Sequence, residues 1–251
     1  MKIQRLTFFD PTNLTLPYII YLTLEGDAKY FGYIKNGKPN ISGFLNNLIP
    51  RLADYRDDLH YNLLVSNNYD EELTTKIEES IYKIYFNKYD YCDDGITTVP
   101  FRVNKEHLQD FLNIYDNKLS KYNMDFTNFV RSLLIEYSSK RLNQREYFFY
   151  YREITKIKNA IENNILCYFH TDVERSYFVP VSIELSELAE ENLIVGYNPK
   201  EETAYILPLA SVRKIVISSP TQPITSEDCA FIYDALDDYY KNIKENKQCL
   251  D

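Results

Sequence analysis

Nothing in this 251-residue sequence assembles a reaction centre, and the side chains best placed to do chemistry are cations. There is no glycine-rich phosphate loop, no HExxH and no GxSxG, and none of the three histidines stands near a suitable nucleophile in sequence. Cys92, Cys167, Cys229 and Cys249 are scattered without a CxxC pair, so zinc-site spacing is absent and the four read as reduced, packing thiols. No catalytic activity, cofactor or metal is expected. A net charge of -9 ordinarily argues against a polyanionic partner, but the charge is unevenly spread. Residues 1–98 carry 10 Lys+Arg against 14 Asp+Glu, residues 99–158 carry 11 against 7, and residues 159–251 carry 7 against 16. Arg102, Arg131, Lys140, Arg141 and Arg145 all lie in the one basic block, and cations at that density suit phosphates. A solvated helix face would carry the same charges.

The elements that must position these cations follow from periodicity. Val99, Phe101 and Val103 fall on one face of a strand while Thr98, Pro100, Arg102 and Asn104 fall on the other, so Arg102 points outward. From Lys105 the period changes, and Leu108, Phe111, Leu112, Tyr115 and Leu119 mark a first helix. Asp125 stands as N-cap of a second helix, in which Phe126, Phe129, Val130, Leu133, Leu134 and Tyr137 recur at helical spacing. A unit of about 45 residues cannot bury two such stripes alone and needs a second copy. The strand-helix-helix order, with FRVN and FTNFVRSLLIEY, resembles the ribbon-helix-helix family. That resemblance implies two strands paired into a ribbon that enters the DNA major groove, with Arg102, Thr98 and Asn104 on the reading face. A helical hairpin capped by an edge strand is the other reading of the same residues.

A second copy is present upstream. The opening residues have room for a short strand, and YIIYLTL (Tyr18 to Leu24), rich in β-branched and aromatic residues, reads as a strand. Asp27 to Lys35 reads as a short helix and NGKPN as a turn; Ile41, Phe44, Leu45, Leu48, Ile49 and Leu52 then mark a longer helix. Laying NISGFLNNLI over DFTNFVRSLL matches cap to cap and apolar to apolar at one constant offset, from Asn40 on Asp125 to Ile49 on Leu134. On that alignment Tyr21 and Thr23 join Arg102 on the outer ribbon face, and the backbone amides at the Asn40 and Asp125 helix starts are available to phosphates. Pro50 is expected to kink its helix. A connecting helix between the copies, with Leu73, Ile77, Ile81, Ile84 and Tyr85 on one stripe, leaves them able to pair within one chain; homodimerisation is the competing arrangement.

From Ile165 the period becomes two, and ILCYFH, RSYFVPVSIEL, NLIVGYN, TAYILPL and VRKIVIS read as five short strands, enough for a small barrel. This stretch, behind a helix carrying NAIENN, resembles the WYL domain family, an SH3-like barrel that commonly follows a DNA-binding module and is thought to sense a ligand, often nucleic acid. Leu193, Ile194 and Val195 stand where the name-giving triplet would be, and Ile206 and Ser211 replace expected arginines. The resemblance leaves Tyr168, Arg175, Tyr177, Tyr197 and Tyr205 as ligand-binding candidates. Ribbon-helix-helix plus WYL is also what the accessory proteins of type VI-D CRISPR loci look like, which would make single-stranded RNA a ligand.

The expected architecture is α+β: tandem ribbon-helix-helix repeats, a small SH3-like β-barrel of WYL type and a C-terminal helix. Its segments are 1–66, a connecting helix over 67–96, 97–145, a linking helix over 146–164, the barrel over 165–220, and 221–251. With 45% hydrophobic residues, no apolar run near 18 and no signal-like start, a soluble cytoplasmic protein without membrane contact is expected. Two functions compete: a nucleic-acid-binding regulator, DNA or RNA, or an accessory subunit whose acidic surface docks a basic protein effector.

Overall fold

Two strands far apart in sequence make the first pairing. In the computed structural model, which describes residues 12–66, 69–77, 79–80, 95–119, 126–186, 191–221 and 224–248, Thr12–Pro17 (β1) runs antiparallel to Ile96–Phe101 (β4). The chain divides into two units, residues 1–141 and 142–251.

In the first unit, β1 leads directly into helix α1 (Tyr18–Tyr30), so the strand expected at Tyr18 to Leu24 is a helix. Pro17 occupies its N-cap position with extended backbone, and Ile20, Leu24 and Ala28 are buried at helical spacing. Burial of that i, i+4, i+8 stripe overrides the β-propensity of the isoleucines, tyrosines and threonine. The short helix expected over Asp27 to Lys35 is therefore the end of α1, followed by a hairpin of β2 (Ile34–Lys35) and β3 (Lys38–Pro39). Asn36 and Gly37 at its tip both have positive φ, as a tight two-residue turn of this kind requires.

Helix α2 (Ile41–Ser66) begins at Asn40, whose Oδ1 accepts the Gly43 N–H at 3.1 Å. It continues through Pro50, so the expected interruption costs one backbone hydrogen bond and not the helix. A helical stretch follows from residue 71, capped by Asp70 through the Leu73 N–H at 2.7 Å; the remainder of the expected connecting helix, over 81–94, lies outside the described residues. After β4 come a 3-10 turn over Lys105–His107, helix α3 (Leu108–Ile114), one π-helical turn over Tyr115–Leu119 and helix α4 (Phe126–Ser138). Asp125, the expected cap of α4, is outside the described residues.

The inner face of the ribbon, Leu14, Leu16, Val99 and Phe101, packs into a core completed by Phe44, Leu48, Phe111, Phe129, Leu133 and Tyr137. Ile41 opens α2 and Phe126 opens α4. In the ribbon, Leu14 and Val99 lie opposite each other, and the sequence interval between them equals the one between those two helix starts. A single offset thus relates the two helix starts and the two facing ribbon positions.

The second unit opens with α5 (Leu142–Phe149) and α6 (Tyr151–Glu162), two helices where one was expected. Strands β5 (Ile165–Thr171), β6 (Arg175–Ser186), β7 (Glu191–Asn198), β8 (Thr203–Pro208) and β9 (Val212–Pro220) form an antiparallel sheet in the order β8-β7-β6-β5-β9. The twelve-residue β6 pairs with β5 through its first half and with β7 through its second, with a register shift at Pro180 to Ser182. Buried Glu146 accepts both the backbone N–H and the side-chain amide of Asn192, each at 2.7 Å, which ties α5 to β7. Cys167 is fully buried, and that burial pushes its thiol up to about 11, in keeping with a packing role. The last helix, α7 (Ser226–Gln248), lays Ile232 and Leu236 against Leu193, Val195 and Tyr197. None of the helices, among the described residues, is long and apolar enough to cross a membrane.

Gly196 marks the tightest approach in this unit. It lies opposite Pro180, and a Cβ there would collide with the Phe178 ring and the Val179 carbonyl oxygen. Phe178 cannot retreat, being stacked on Phe169 at 4.4 Å and Tyr205 at 5.0 Å. Gly196→Ala is expected to destabilise by about 1–3 kcal/mol, read as a lower urea midpoint with an unchanged slope.

Candidate nucleic-acid interface

The ribbon presents its polar edge outward because its apolar residues alternate into the core. Thr15 stands opposite Thr98 and Asn13 opposite Pro100; Asn13, Thr98 and Pro100 are exposed and Thr15 is half-buried. Just beyond β4, Arg102 is exposed and has no ion-pair partner among the described residues, and the same holds for Lys105. The ribbon ends at Phe101, yet this exit is held firmly. Asn46 of α2, fully buried, donates from Nδ2 to the Arg102 carbonyl at 2.9 Å and accepts the Asn104 N–H at 2.8 Å. Its side-chain amide thus fixes the backbone on both sides of Val103, immediately after Arg102, while the Arg102 side chain stays exposed.

The same offset that lays Asn40 on Asp125 carries Asn46 onto Arg131 of α4. The Arg131 Nε donates to the Thr15 carbonyl at 3.1 Å and its Nη1 to Asn128 Oδ1 at 3.1 Å. Arg131, expected to face phosphate, instead braces the ribbon from the core side. Asn46 of α2 thus holds the backbone just after β4, and Arg131 of α4 holds that of β1.

The other expected contacts divide. Tyr21 and Thr23 belong to α1 and not to the ribbon. Tyr21 stacks near Tyr18, with ring centroids 5.9 Å apart, and donates to Glu25 at 3.2 Å, while Thr23 Oγ1 donates to the Ile19 carbonyl at 3.1 Å, a bond internal to the helix. Lys140 and Arg141 follow α4 in the first unit, Arg145 lies in α5 of the second, and all three already have interaction partners. The Gly43 amide at the start of α2 is taken by Asn40. Asn13, Thr15, Asn46 and Lys105 are additions; with β1 displaced from the strand expected at 18–24, alternation alone could not assign the first two to the ribbon.

In the second unit, three of the five ligand candidates come together. Tyr177 OH donates to Glu201 Oε1 at 2.6 Å and Tyr205 OH to Glu201 Oε2 at 3.0 Å, while the Tyr168 and Tyr177 rings lie 6.0 Å apart. The hydrogen bond from Tyr177, then that from Tyr205, holds the Glu201 carboxyl below its usual range. The bond to Glu201 raises the Tyr177 phenol, whereas burial is the larger cause of the rise at Tyr205. With the folded carboxyl pKa depressed, this contribution to stability is present above the ordinary Glu value and lost as pH falls through the lowered one. Arg175 is exposed on β6, opposite His170. Tyr197, expected among the ligand contacts, is buried against α7 with its ring 6.3 Å from Phe231 and packs in the core.

No known protein family matches the chain, and no curated protein matches it. Among solved structures it is similar to one described as "Crystal structure of a CRISPR Cas-related protein", with a TM-score of 0.62 and 15% identity over 87% of this chain. The chain spans 65% of that protein's length, and the likeness is one of fold.

Proposed function

We propose that this chain is a nucleic-acid-binding accessory protein that acts by binding and not by catalysis. Two ribbon-helix-helix halves tethered in one chain would meet nucleic acid through their shared ribbon, and a WYL-like barrel would follow. The observation that carries this reading is the ribbon itself: β1 and β4 pair antiparallel, bury Leu14, Leu16, Val99 and Phe101, and leave Asn13 and Thr98 exposed, with the exposed Arg102 just beyond β4. The common offset of helices and strands supports the tandem-repeat half of the reading. A five-stranded meander whose last strand returns beside its first supports the barrel half. The structural likeness to a CRISPR Cas-related protein supports an accessory role in such a system.

Arg102→Ala tests the proposal. Because the guanidinium is exposed while its backbone is clamped by Asn46, the variant is expected to keep the wild-type melting temperature. Its affinity for nucleic acid should fall, with the salt slope reduced by about one unit if Arg102 meets a phosphate. Anisotropy titrations at several ionic strengths read both quantities, and affinity equal to wild type would sink the ribbon reading.

A second reading, an accessory subunit that docks a basic protein effector, draws on the second unit's 11 Lys+Arg against 18 Asp+Glu. On α7, Asp234, Asp237 and Asp238 all help raise the pKa of Lys241, the hydrogen bond that Lys241 donates to Asp238 most strongly. Wild-type chain with no salt-dependent affinity for any nucleic acid would favour it.

A further inference from the structure

We propose that the outward face of α1 binds the same face of a second copy of this chain, as an antiparallel helix pair centred on Gly26. This contact does not depend on the nucleic-acid reading. Helix α1 buries Ile20, Leu24, Asp27 and Ala28 within its own unit. Its other side is almost without charge. Of its thirteen residues Glu25, Asp27 and Lys29 alone are charged; Asp27 is buried and accepts the Tyr137 hydroxyl at 2.7 Å, while half-buried Glu25 accepts that of Tyr21 at 3.2 Å. At about 100° of turn per residue, Tyr18, Ile19, Leu22, Gly26, Lys29 and Tyr30 share one outward arc, and all six are exposed. A helix that is apolar on both sides is one that has something packed on both.

Three observations point to a second copy. The first is Gly26 itself, since a glycine inside a helix is destabilising relative to alanine and nothing in the chain asks for one here. A Cβ at that position would meet no atom within 4 Å, and Gly26 is not among the glycines with positive φ. Its place at the middle of the bare arc lets another backbone come close. The second is symmetry: a two-fold axis through Gly26 sets each position before it against the position equally far after it on the other copy. Leu22 and Tyr30, both 41% exposed and each about one turn from Gly26, then meet. Lys29 meets Thr23, whose hydroxyl already donates to the Ile19 carbonyl, so the one cation of the arc never faces its own copy. The third is size. Tyr18, Ile19, Leu22 and Tyr30 are joined by Ile96, which is 67% exposed opposite Pro17 at the foot of the helix. Together they bare roughly a few hundred Å², which doubled across a pair reaches the low end of specific interfaces and fits a weak, concentration-dependent dimer.

Sedimentation equilibrium of the full chain, from submicromolar to high micromolar concentration, tests this. Wild type is expected to pass from monomer to dimer over that range. Leu22→Glu and Tyr30→Arg are each expected to raise the dissociation constant about tenfold or more. Combined, they are expected to restore association, because the two new charges oppose each other across the two-fold axis; within one helix they stand too far apart to pair. Gly26→Ala separates association from folding. It is expected to raise the melting temperature, since the added methyl group meets nothing in the chain and favours the helix, and yet to weaken the dimer. A glycine with a role only inside the chain would not split the two readings in this way. Circular dichroism checks folding, and if Leu22→Glu is unfolded Gly26→Ala decides. The proposal is overturned if wild type stays monomeric at the highest concentration, which would assign the stripe to a different partner. It is equally overturned if the folded single variants dimerise as wild type does, if Gly26→Ala dimerises more tightly, or if the double variant is no better than the single ones.

Discussion

Phe129→Ala is expected to abolish cooperative folding of the first unit, or to lower its stability by about 3–5 kcal/mol, the usual cost of deleting a buried aromatic ring. Phe129 is fully buried in α4, and its counterpart in the upstream copy, Phe44 of α2, is fully buried as well. Phe44 is in turn within ring contact of Phe31 at 5.8 Å and Tyr137 at 6.4 Å, so large rings fill much of this core. Domains of this size hold about 5–15 kcal/mol in total, which makes such a loss decisive. The chain has no tryptophan, so far-UV circular dichroism during urea titration is the suitable probe. An unchanged midpoint would mean that α4 does not pack as described.

The second large effect is electrostatic. Arg56 of α2 pairs through Nη2 with Oε2 of Glu136 in α4, and the two side chains are 3% and 14% exposed. Taking both charges out of water is costly, and each offsets much of that cost for the other. Arg56→Ala leaves the Glu136 carboxylate in the same dry position and is expected to cost about 3–5 kcal/mol. The double variant Arg56→Leu/Glu136→Leu is expected to recover most of that loss, since no uncompensated charge then remains. Urea midpoints of the single and double variants read the coupling directly, and additive losses would show that the two groups do not depend on each other.

What the sequence made legible was the material with strong period. The stripe from Phe126 to Tyr137 is an amphipathic helix wherever it is placed, and the five runs after Ile165 are short, rich in β-branched and aromatic residues and bounded by turn signals, which is how strands read. The constant offset between the two copies was legible for the same reason: it compares apolar positions, which the core selects. The error at Tyr18 to Leu24 has an equally physical cause. Isoleucine, tyrosine and threonine favour strands on a half-buried surface, but here one face of the segment is drawn into the core at helical spacing, and Pro17 ends the preceding strand at the point where a helix can begin. With that strand misplaced, the outer ribbon residues of the first half moved with it, from Asn13 and Thr15 to Tyr21 and Thr23. Arg131 illustrates a second blind spot, since sequence records that a residue is basic but not whether a backbone carbonyl such as that of Thr15 already holds it. Glu201 was invisible because its role comes from two phenols on strands β6 and β8 that only the folded sheet brings to it.

Both strands of the ribbon belong to one chain, and this changes what dilution and mutation can do. A ribbon formed by two separate copies would come apart as protein concentration falls, whereas this one closes at a fixed effective concentration set by the intervening chain. In a symmetric pair, moreover, every substitution appears twice. Here the positions related by the common offset differ: Asn13 answers to Thr98, Thr15 to Pro100, and Asn46 to Arg131. The two edges of the ribbon thus carry different side chains, and on the proposed reading a nucleic acid bound there has no reason to be a palindrome.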